Sequence, residues 1–521
     1  MKFLRVLCVV ALVAFFAASA YAETQNVKVS GDLAIRAFFR NCYGGDQSLV
    51  SAPNESVLNG VGTVPSAATR EGIDRSNSNW FMSTTELQVD ADLTDNVSTC
   101  IRLVNQRDWN AAKEHGYDSG TAPVSTIGSG GYGHANTGAL GGSGYFDDQS
   151  EFAVDLELAY VTLKNFLYSP LTLTIGRQNL WFGKGFIVGA NQRVRNADWY
   201  GAAGYPQPLS APEYSAQNAF DSIKAVLDFD PWTITTIYSK IWQNDIRADD
   251  GLDLWGTNVG YKFDAYKGEA EAYWFYKRDK QVQNLVNIEG SNDVNTIGIR
   301  GSFDPIDIVT VYAELAGQFG TYMQNQDQDN SRSRVSGALD VGADCRYFTD
   351  KWAWKPKLGI EYIWYSGQGG DANVSLHGSG QYHGWDPMFR GKTDSLIREF
   401  IGRYYFTKKY PFTPANYYNS VDNSFQNQHQ IIFKGSLQPM DSVKLNGNFN
   451  MFWTQEDYIP NQANTGGYIG SELDLGATWD YTEDVSFNLV AGWFMPGKVY
   501  LNDDASAATA TDIVGTVKVS F

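Results

Sequence analysis

The chain has 521 residues, a formal net charge of −18 at pH 7, 51 glycines and an aromatic content of 14%. Its mean hydropathy of −0.32 is too polar for a bundle of membrane-spanning helices. The acidic balance argues against nucleic-acid binding, which requires a basic face.

Residues 1–22 have the features of a secretory signal peptide. Two basic residues near the start precede an apolar run from about residue 6 to residue 18, and small residues follow in the cleavage position at 20–22. We expect cleavage after Ala22, which leaves residues 23–521 as the mature protein. A membrane anchor is the alternative, but the apolar run is shorter than the roughly 20 residues of a spanning helix.

The rest of the chain repeatedly alternates apolar and polar residues, the pattern of a strand with one apolar and one polar face. In the final DIVGTVKVSF, Ile513, Val517 and Val519 share one parity, and Lys518 and Ser520 share the other. Eighteen strands are predicted, near residues 26–40, 80–93, 97–109, 151–164, 171–178, 219–228, 232–242, 254–263, 269–277, 294–303, 308–319, 334–348, 356–366, 427–437, 441–454, 468–481, 485–495 and 511–521.

The connections between these strands indicate the architecture. Tight turns alternate with long polar loops, and the turns lie at residues 94–96, 229–231, 304–306, 438–440 and 482–484. Outer-membrane barrels have short periplasmic turns and long extracellular loops, whereas a soluble sandwich or propeller does not require the two kinds to alternate. The predicted fold is therefore all-β: a transmembrane antiparallel β-barrel of about 18 strands, wide enough for a water-filled lumen.

A long excursion is predicted at about residues 367–426. The stretch 396–406 within it also resembles a strand. Counting this stretch alone would reverse the direction of every later strand and place the turn at residues 438–440 outside. We therefore assign 396–406 to a loop that lies outside the cell or folds into the pore as a plug.

Parity also predicts which charged side chains face the lumen. The basic residues on the predicted solute path are Arg36, Arg102, Lys224, Arg300, Arg334, Arg346 and Lys444. Acidic residues on the inward parity include Asp90, Asp155, Glu157, Asp340, Glu361, Glu472 and Asp474. Inward charges of opposite sign either pair with each other or act on the solute.

The heights of these charges favour a basic constriction above an acidic periplasmic mouth. The five arginines of the solute path are expected in the middle or upper parts of their strands. Asp90, Asp92, Asp474 and Asp480 are expected nearer the short turns.

Loop residues form a second candidate set. Strict alternation would point Arg177 at lipid, which costs about 2–4 kcal/mol at the bilayer midplane, so we expect Arg177 above the membrane or after a bulge. Lys184 and the glycines around it then begin a loop that folds inward. Trp385, Asp386 and Phe389, in the long excursion, are candidate gate residues.

No catalytic or cofactor-binding motif is found. The five histidines stand in no metal-ligand motif, and His429 is the one strand-edge candidate for a catalytic base. The glycine-rich stretch 121–145 lacks the ending of a phosphate-binding loop. The acidic run 324–330 is either a solvated loop or a divalent-cation site at a lipopolysaccharide surface. We therefore expect no enzyme, no cofactor and no structural metal.

Several short motifs resemble the alginate-export porin family. They are LTIGRQNLWFGKGFIVG at residues 173–189, YSGQGGD at 365–371, GWDPMF at 384–389 and the hairpin at 471–498. Gln368 stands where the family has an acidic residue. The resemblance implies an 18-stranded pore that passes a polyanionic polysaccharide, guided by arginines and lysines in the lumen.

The predicted function is an outer-membrane pore for hydrophilic solutes, and its sharper form is passage of an anionic polysaccharide or oligosaccharide. The alternative is a structural or adhesive barrel that presents long surface loops. The predicted location is the outer membrane of a Gram-negative-type bacterium. The expected partners are outer-membrane lipid, lipopolysaccharide and the barrel assembly machinery, which would recognise the aromatic end at Phe521.

Overall fold

The computed structural model describes residues 26–41, 78–109, 154–167, 170–191, 211–243, 251–280, 291–323, 331–346, 352–367, 381–400, 425–456, 467–497 and 509–521. The predicted signal peptide, the glycine-rich stretch 121–145 and the acidic run 324–330 lie outside these residues.

The described residues form eighteen strands. They are β1 (Asn26–Asn41), β2 (Ser78–Thr94), β3 (Val97–Asp108), β4 (Asp155–Leu163), β5 (Leu171–Gln178), β6 (Phe220–Asp228), β7 (Trp232–Trp242), β8 (Leu252–Phe263), β9 (Gly268–Asp279), β10 (Asn292–Ile306), β11 (Val309–Met323), β12 (Ser331–Cys345), β13 (Lys357–Tyr365), β14 (Gln428–Met440), β15 (Val443–Thr454), β16 (Tyr468–Asp480), β17 (Val485–Pro496) and β18 (Ala510–Ser520).

The strands form one closed antiparallel barrel. Each strand pairs with its neighbours along the chain, and β1 also pairs with β18, with Arg36 opposite Thr516. A closed barrel satisfies every backbone hydrogen-bonding group in the hydrocarbon region and leaves no edge. The predicted fold and strand number are confirmed.

The two faces of the barrel differ as the alternation requires. Ile299, Leu489 and Val29 point outward and are exposed by 61%, 52% and 59%. Aromatic rings cluster at the short-turn rim, where Trp479 lies 5.2 Å from Tyr481 and 5.5 Å from Phe487 between ring centroids. Such rings mark the membrane interface of a barrel.

Local irregularities adjust the predicted register. The predicted turns at 304–306 and 438–440 are parts of β10 and β14, which continue past a register shift to Ile306 and Met440. In β4 a bulge at Glu157 reverses the parity, because Arg102 pairs with Leu158 and Leu103 with Leu156. Glu157 is buried, and the inward face then continues from Leu158.

In the described parts of the chain, helical structure is limited to single turns at Pro212–Tyr214, Ala265–Lys267 and Arg398–Phe400. The last of these lies in the strand-like stretch 396–406, of which residues 401–406 are outside the described ranges. Among the residues described, no helix has both the length and the apolar character that crossing a bilayer demands.

Phe521 completes the seam between β1 and β18. Its amide donates to the carbonyl oxygen of Gly31 over 2.9 Å, and the amide of Gly31 donates to the carbonyl oxygen of Phe521 over 2.8 Å. The Phe521 ring lies over Gly31, where a Cβ atom would come within 2.5 Å of Cζ of the ring. The side chain and the backbone of Phe521 therefore both close the barrel.

Deletion of Phe521 should lower the amount of heat-modifiable, folded barrel in outer-membrane fractions. The deletion removes two seam hydrogen bonds worth roughly 0.5–1.5 kcal/mol each, together with the packing of the ring. Phe433→Ala, which removes an outward aromatic ring in the middle of β14, is the control and should assemble normally. Equal assembly of the deletion variant and the wild type would contradict this role of Phe521.

Candidate functional site

Three chain segments fold from the long-loop ends of strands into the barrel lumen. They are residues 179–191 after β5, 211–219 before β6 and 381–400 between β13 and β14, and we call them the lumen segments. The amides of Gly189 and Ala190 donate to the carbonyl oxygen of Phe389 over 2.8 and 3.0 Å. The first and third segments are therefore joined directly inside the barrel.

An apolar core lies between these two segments and the inward faces of β6–β14. Phe186, Val188, Trp385 and Phe389 are at most 5% exposed. They share one cluster with inward residues of the barrel wall, which are Phe220, Ile237, Leu254, Phe275, Val294, Ala316, Ala338, Ile363, Tyr365 and Ile432. Burial of a large apolar side chain contributes roughly 1.5–3 kcal/mol. This core therefore holds the two segments inside the barrel.

A cluster of charges fastens the third segment to β12 and β13. Lys392 Nζ lies 2.8 Å from Asp340 Oδ2 and 3.1 Å from Asp394 Oδ2, and it also pairs with Glu361. Arg390 Nη2 lies 3.2 Å from the same oxygen of Asp394. All five side chains are buried or nearly so.

Electrostatics keep Lys392 protonated in this setting. Burial alone lowers the pKa of Lys392, but the carboxylates of Asp394, Asp340 and Glu361 outweigh burial and raise the pKa of Lys392 well above its ordinary value. The cluster is therefore an ion-pair network with its positive charge retained throughout the neutral pH range.

Acidic residues of β16 bind the backbone of the third segment. The Glu472 carboxylate accepts hydrogen bonds from the amides of Ile397 and Arg398 over 2.6 and 2.7 Å, and Asp474 accepts one from the amide of Leu396 over 3.3 Å. These amides begin a helical turn and would otherwise have no partner within it. The expectation that Asp474 lies near the short turns is wrong, because it lies midway along β16.

The second lumen segment is held by a different ion-pair cluster. The Arg40 guanidinium contacts Glu213 and lies 3.2 Å from the Asp512 carboxylate. The three side chains are all buried. The Arg40 guanidinium also lies over the Trp80 ring at 5.1 Å, a cation–π contact. Residues 211–219 are therefore fixed to the wall where the barrel closes.

Three predicted path residues lie on the lumen face and form no close ion pair, although the Arg36 guanidinium lies over the Tyr214 ring of the second lumen segment at 5.5 Å. Arg36 Nη1 donates to Thr84 Oγ1 over 2.9 Å. Arg102 Nε donates to Gln88 Oε1 over 2.7 Å, and its Nη1 lies 3.6 Å from Glu86 Oε2. Lys224 is half-buried and makes no ion pair with any residue that the structure describes.

Two predicted path arginines are instead held by the protein itself. Arg300 lies 2.5 Å from both Glu269 Oε1 and Glu271 Oε1. Arg334 is 3% exposed, donates from Nη1 to the carbonyl oxygen of Gly384 over 2.8 Å and lies 5.0 Å from the Tyr382 ring centroid. Alternation correctly gives their inward direction but does not reveal that neighbouring groups enclose them.

Two further path residues lie at the short-turn rim. Arg346 follows β12, and its Nη2 atom lies 2.9 Å from Asp304 Oδ2 near the β10–β11 turn. Its expected position in the middle or upper part of a strand is wrong, because Arg346 directly follows the last residue of β12, Cys345, at the short-turn end. Lys444 is the second residue of β15, and its Nζ atom lies 3.2 Å from Asp480 Oδ2.

The structure places two of the predicted loop residues as follows. Arg177 is the penultimate residue of β5, lies on the outward parity and pairs with Asp221 at 3.2 Å. β5 pairs with both neighbours without a register shift, so no bulge lies before Arg177. Arg177 avoids the middle of the bilayer because it lies near the end of the strand. Lys184 is folded inward over the Tyr312 ring.

The remaining three loop residues all lie in the lumen. Trp385 and Phe389 belong to its apolar core. Asp386 pairs with Lys277 of β9, and it also accepts a hydrogen bond from the amide of Met388 over 2.8 Å. Burial raises the pKa of Asp386, but Lys277, Arg334 and the Met388 amide together outweigh burial and leave the pKa below its ordinary value.

Sequence reasoning missed the residues that fasten the lumen segments. Arg390, Lys392 and Asp394 follow the GWDPMF motif directly, and the surplus of inward acids is a signal that basic partners must come from a loop. No comparable signal marks Glu213. Within the described ranges, no group of three or more histidine, cysteine or acidic side chains is arranged to hold a metal ion.

Lys392→Met should loosen the third lumen segment and leave the barrel folded. Breaking a buried ion pair costs about 3–5 kcal/mol because the remaining carboxylates lose their partner. We expect larger and noisier single-channel currents from the variant in planar bilayers, with unchanged heat-modifiability. Lys355→Met is the control, since the exposed pair of Lys355 with Asp441 at 3.5 Å is worth about 0–1 kcal/mol. Quiet currents of wild-type size from Lys392→Met would disprove the fastening role.

Alkaline pH should stabilise the docked first lumen segment. Burial lowers the pKa of Lys184 from 10.5 to about 8; Glu361 and Asp340 oppose this change, whereas Lys392 and Lys434 reinforce it. A released segment would still bind the proton between these two values, so docking is favoured increasingly as the pH rises from about 8 towards 10.5.

Large opening events in planar bilayers should accordingly become rarer over that pH range. Lys184→Met should remove this part of the pH dependence, while other titrating groups contribute equally to both proteins. An identical pH dependence in the variant and the wild type would show that Lys184 does not control docking.

The sequence profile of the family described as alginate export matches residues 143–513. No relative was found among curated protein sequences.

Solved structures that match the chain include OccK11 (OpdR) and OccK2 (OpdF) of Pseudomonas aeruginosa and OccAB2 of Acinetobacter baumannii. Their identities to this chain are 9%, 9% and 10%, and their TM-scores are 0.47, 0.48 and 0.47. The alignments cover 95%, 96% and 95% of this chain and 96%, 98% and 98% of the respective structures.

Because the family profile spans most of the length of the chain, the chain belongs to the alginate export family, and the barrel is a pore in the outer membrane of a Gram-negative bacterium.

Proposed function

We propose that this pore is selective for anionic saccharides, of which chains of uronate units are the principal class. The observation that carries the proposal is the unequal pairing of the inward charges. Many inward acids are bound to the protein itself, whereas three basic residues of the wall keep neutral or weak partners.

The acids of the inner wall are bound in two ways. Asp340 and Glu361 pair with Lys392, and Asp512 pairs with Arg40. Glu472 instead accepts backbone hydrogen bonds from the third lumen segment. A carboxylate with such partners contributes little net field to a passing solute, so counting acids along the chain overstates the negative charge of the path.

The basic residues of β1, β3 and β6 retain more of their charge for a solute. The partners of Arg36 are the neutral hydroxyl of Thr84 and the Tyr214 ring, and the closer partner of Arg102 is the neutral Gln88 amide oxygen. Glu86 is the nearest acid to Arg102, at 3.6 Å. These bases lie within their strands rather than at the rim, where a narrow aqueous path screens charges less than open solution does.

Acidic residues towards the short turns complete the arrangement. Asp90 accepts a hydrogen bond from Gln88 over 2.7 Å, and Asp480 pairs with Lys444 across the rim. We infer a basic middle and a mixed periplasmic mouth. Membership of the alginate export family favours the same substrate class, since that family is described by the export of a polyuronate.

The barrel surface has predicted partners of its own. The outward aliphatic and aromatic side chains contact membrane lipid. Lipopolysaccharide and the barrel assembly machinery are also proposed partners, because outer-membrane barrels in general contact both.

The double variant Arg36→Gln/Arg102→Gln should shift the reversal potential in a salt gradient towards cations. Removing two charges from a narrow aqueous path should lower the anion-to-cation permeability ratio by about twofold or more. The control Lys444→Gln/Lys518→Gln removes the same charge at the short-turn rim, where both lysines are exposed and paired with Asp480 and Asp32. A strongly cation-selective wild type, or equal effects of the two double variants, would defeat the proposal and favour a general pore. Absence of any conductance would favour the adhesive alternative.

A further inference from the structure

A cavity of about 390 Å³ opens in the lumen beside the first lumen segment. Residues 180–183 cover one side of it, and inward side chains of β6–β9 form the rest, among them Lys224, Thr235, Asn258 and Glu271. The cavity differs from the apolar core, because its wall carries charged, amide and hydroxyl groups.

Trp181 forms an aromatic surface in this cavity. Its six-membered ring rests against Gly185, Gly189 and Gly391, where added Cβ atoms would lie 2.5, 2.9 and 2.6 Å from the ring. The indole Nε1 donates to the carbonyl oxygen of Gly183 over 3.0 Å, yet the residue remains 56% exposed. The ring is therefore fixed in place while much of its surface stays open.

Lys224 supplies a positive charge to the same cavity. It lies opposite Thr174 in the β5–β6 register, and its ammonium makes no hydrogen bond or ion pair with another described residue. The two acids of the wall, Glu269 and Glu271, share Arg300 at 2.5 Å each. Lys262 also lines the cavity, near the short-turn end of β8, and like Lys224 it makes no ion pair with a described residue. Lys224 is therefore the lysine without a carboxylate partner that lies in the middle of a strand of this wall.

The combination of an open indole, hydroxyl and amide groups and an uncompensated ammonium fits one class of ligand. A pyranose presents an apolar C–H face that stacks on an aromatic ring, and its hydroxyls bond with amides and carboxylates. A carboxylate on the sugar would form a charge-assisted hydrogen bond with the ammonium. A neutral hexose would leave that ammonium without a partner.

We propose that this cavity is a binding subsite for a hexuronate unit, with Trp181 stacking on the pyranose and Lys224 pairing with its carboxylate. The proposal rests on the proposed selectivity for anionic saccharides, and it assigns a site in the lumen where one sugar unit of the saccharide binds during passage. It adds a specificity-determining pair that lies apart from Arg36 and Arg102.

The test is current blockade of the full-length pore in planar bilayers by a hexuronate tetrasaccharide, with a neutral hexose tetrasaccharide and free hexuronate alongside. Lys224→Met should shorten the residence time of the charged tetrasaccharide about tenfold or more, as expected for loss of a hydrogen bond to a charged group, and leave the neutral one unchanged. Lys224→Arg should restore most of the residence time. Trp181→Ala should shorten residence for both tetrasaccharides, and Trp181→Phe should shorten it less. Blockade by free hexuronate that depends equally on both residues would identify a single unit as sufficient ligand.

Exposed residues of the β12–β13 turn provide matched controls. Trp352→Ala and Lys355→Met change the same residue types at the short-turn rim and should leave blockade unaltered. Ion conductance without saccharide and heat-modifiability report whether each variant is folded. Wild-type residence times in folded Lys224→Met and Trp181→Ala would overturn the subsite, as would absence of blockade in the wild type. Blockade that depends on both residues in a pore that is cation-selective in a salt gradient would uphold the subsite while overturning the proposed function.

Discussion

The antiparallel pairing of β1 with β18 is the interaction on which the rest of this structure depends. In lipid, no water is present to satisfy an exposed strand edge, so a sheet of this size spans a membrane only if its first and last strands meet. The seam extends from Asn41 opposite Thr511 to Asp32 opposite Ser520, and the reciprocal bonds between Gly31 and Phe521 continue it. Closure also creates the lumen. Charged side chains that face this enclosed space have less access to water than surface charges and therefore need partners within the protein.

Much of that space is occupied by the protein itself. Carboxylates such as Glu361 and Glu472 would be costly if enclosed alone, and the lumen segments bring them Lys392 and backbone amides. Apolar residues such as Phe186 and Phe389 then seal the contact. Pairing neutralises many of the inward acids, and packing fills part of the lumen. What remains is a narrower path lined by the charged side chains that have no strong partner in the protein. This redistribution links the barrel to selectivity, because a passing solute meets mainly the charges that have no strong partner.

The parts of this arrangement that were predictable are those that follow from local period and parity. Alternation in β1 and β18 indicates both the strands and the faces of Arg36 and Lys518, because lipid and water impose a strict period of two. Alternation does not reveal the bulge at Glu157, since a single extra residue leaves the composition of β4 unchanged. It also does not fix the height of a residue along the strand, and Arg346, expected higher, lies at the rim beside Asp304.

The contacts between segments distant in the chain could not be predicted in the same way. Glu213 meets Arg40, and Lys392 meets Asp340, only because loops return into the closed barrel. No periodicity encodes such meetings, and the apolar inward residues of β6–β14 resemble ordinary interruptions of the polar parity until their loop partners are known. The family resemblance indicated the pore, whereas the enclosure of Arg300 and Arg334 became apparent only from the folded contacts.

Selective passage of anionic saccharides is the central claim, and proteoliposome swelling tests it most directly. Swelling rates would be compared for a hexuronate oligosaccharide and a neutral hexose oligosaccharide of equal length, at equal osmotic strength and with protein-free liposomes as the baseline. The arrangement of inward charges predicts faster entry of the hexuronate. Equal entry of the two, or faster entry of the neutral oligosaccharide, would contradict it.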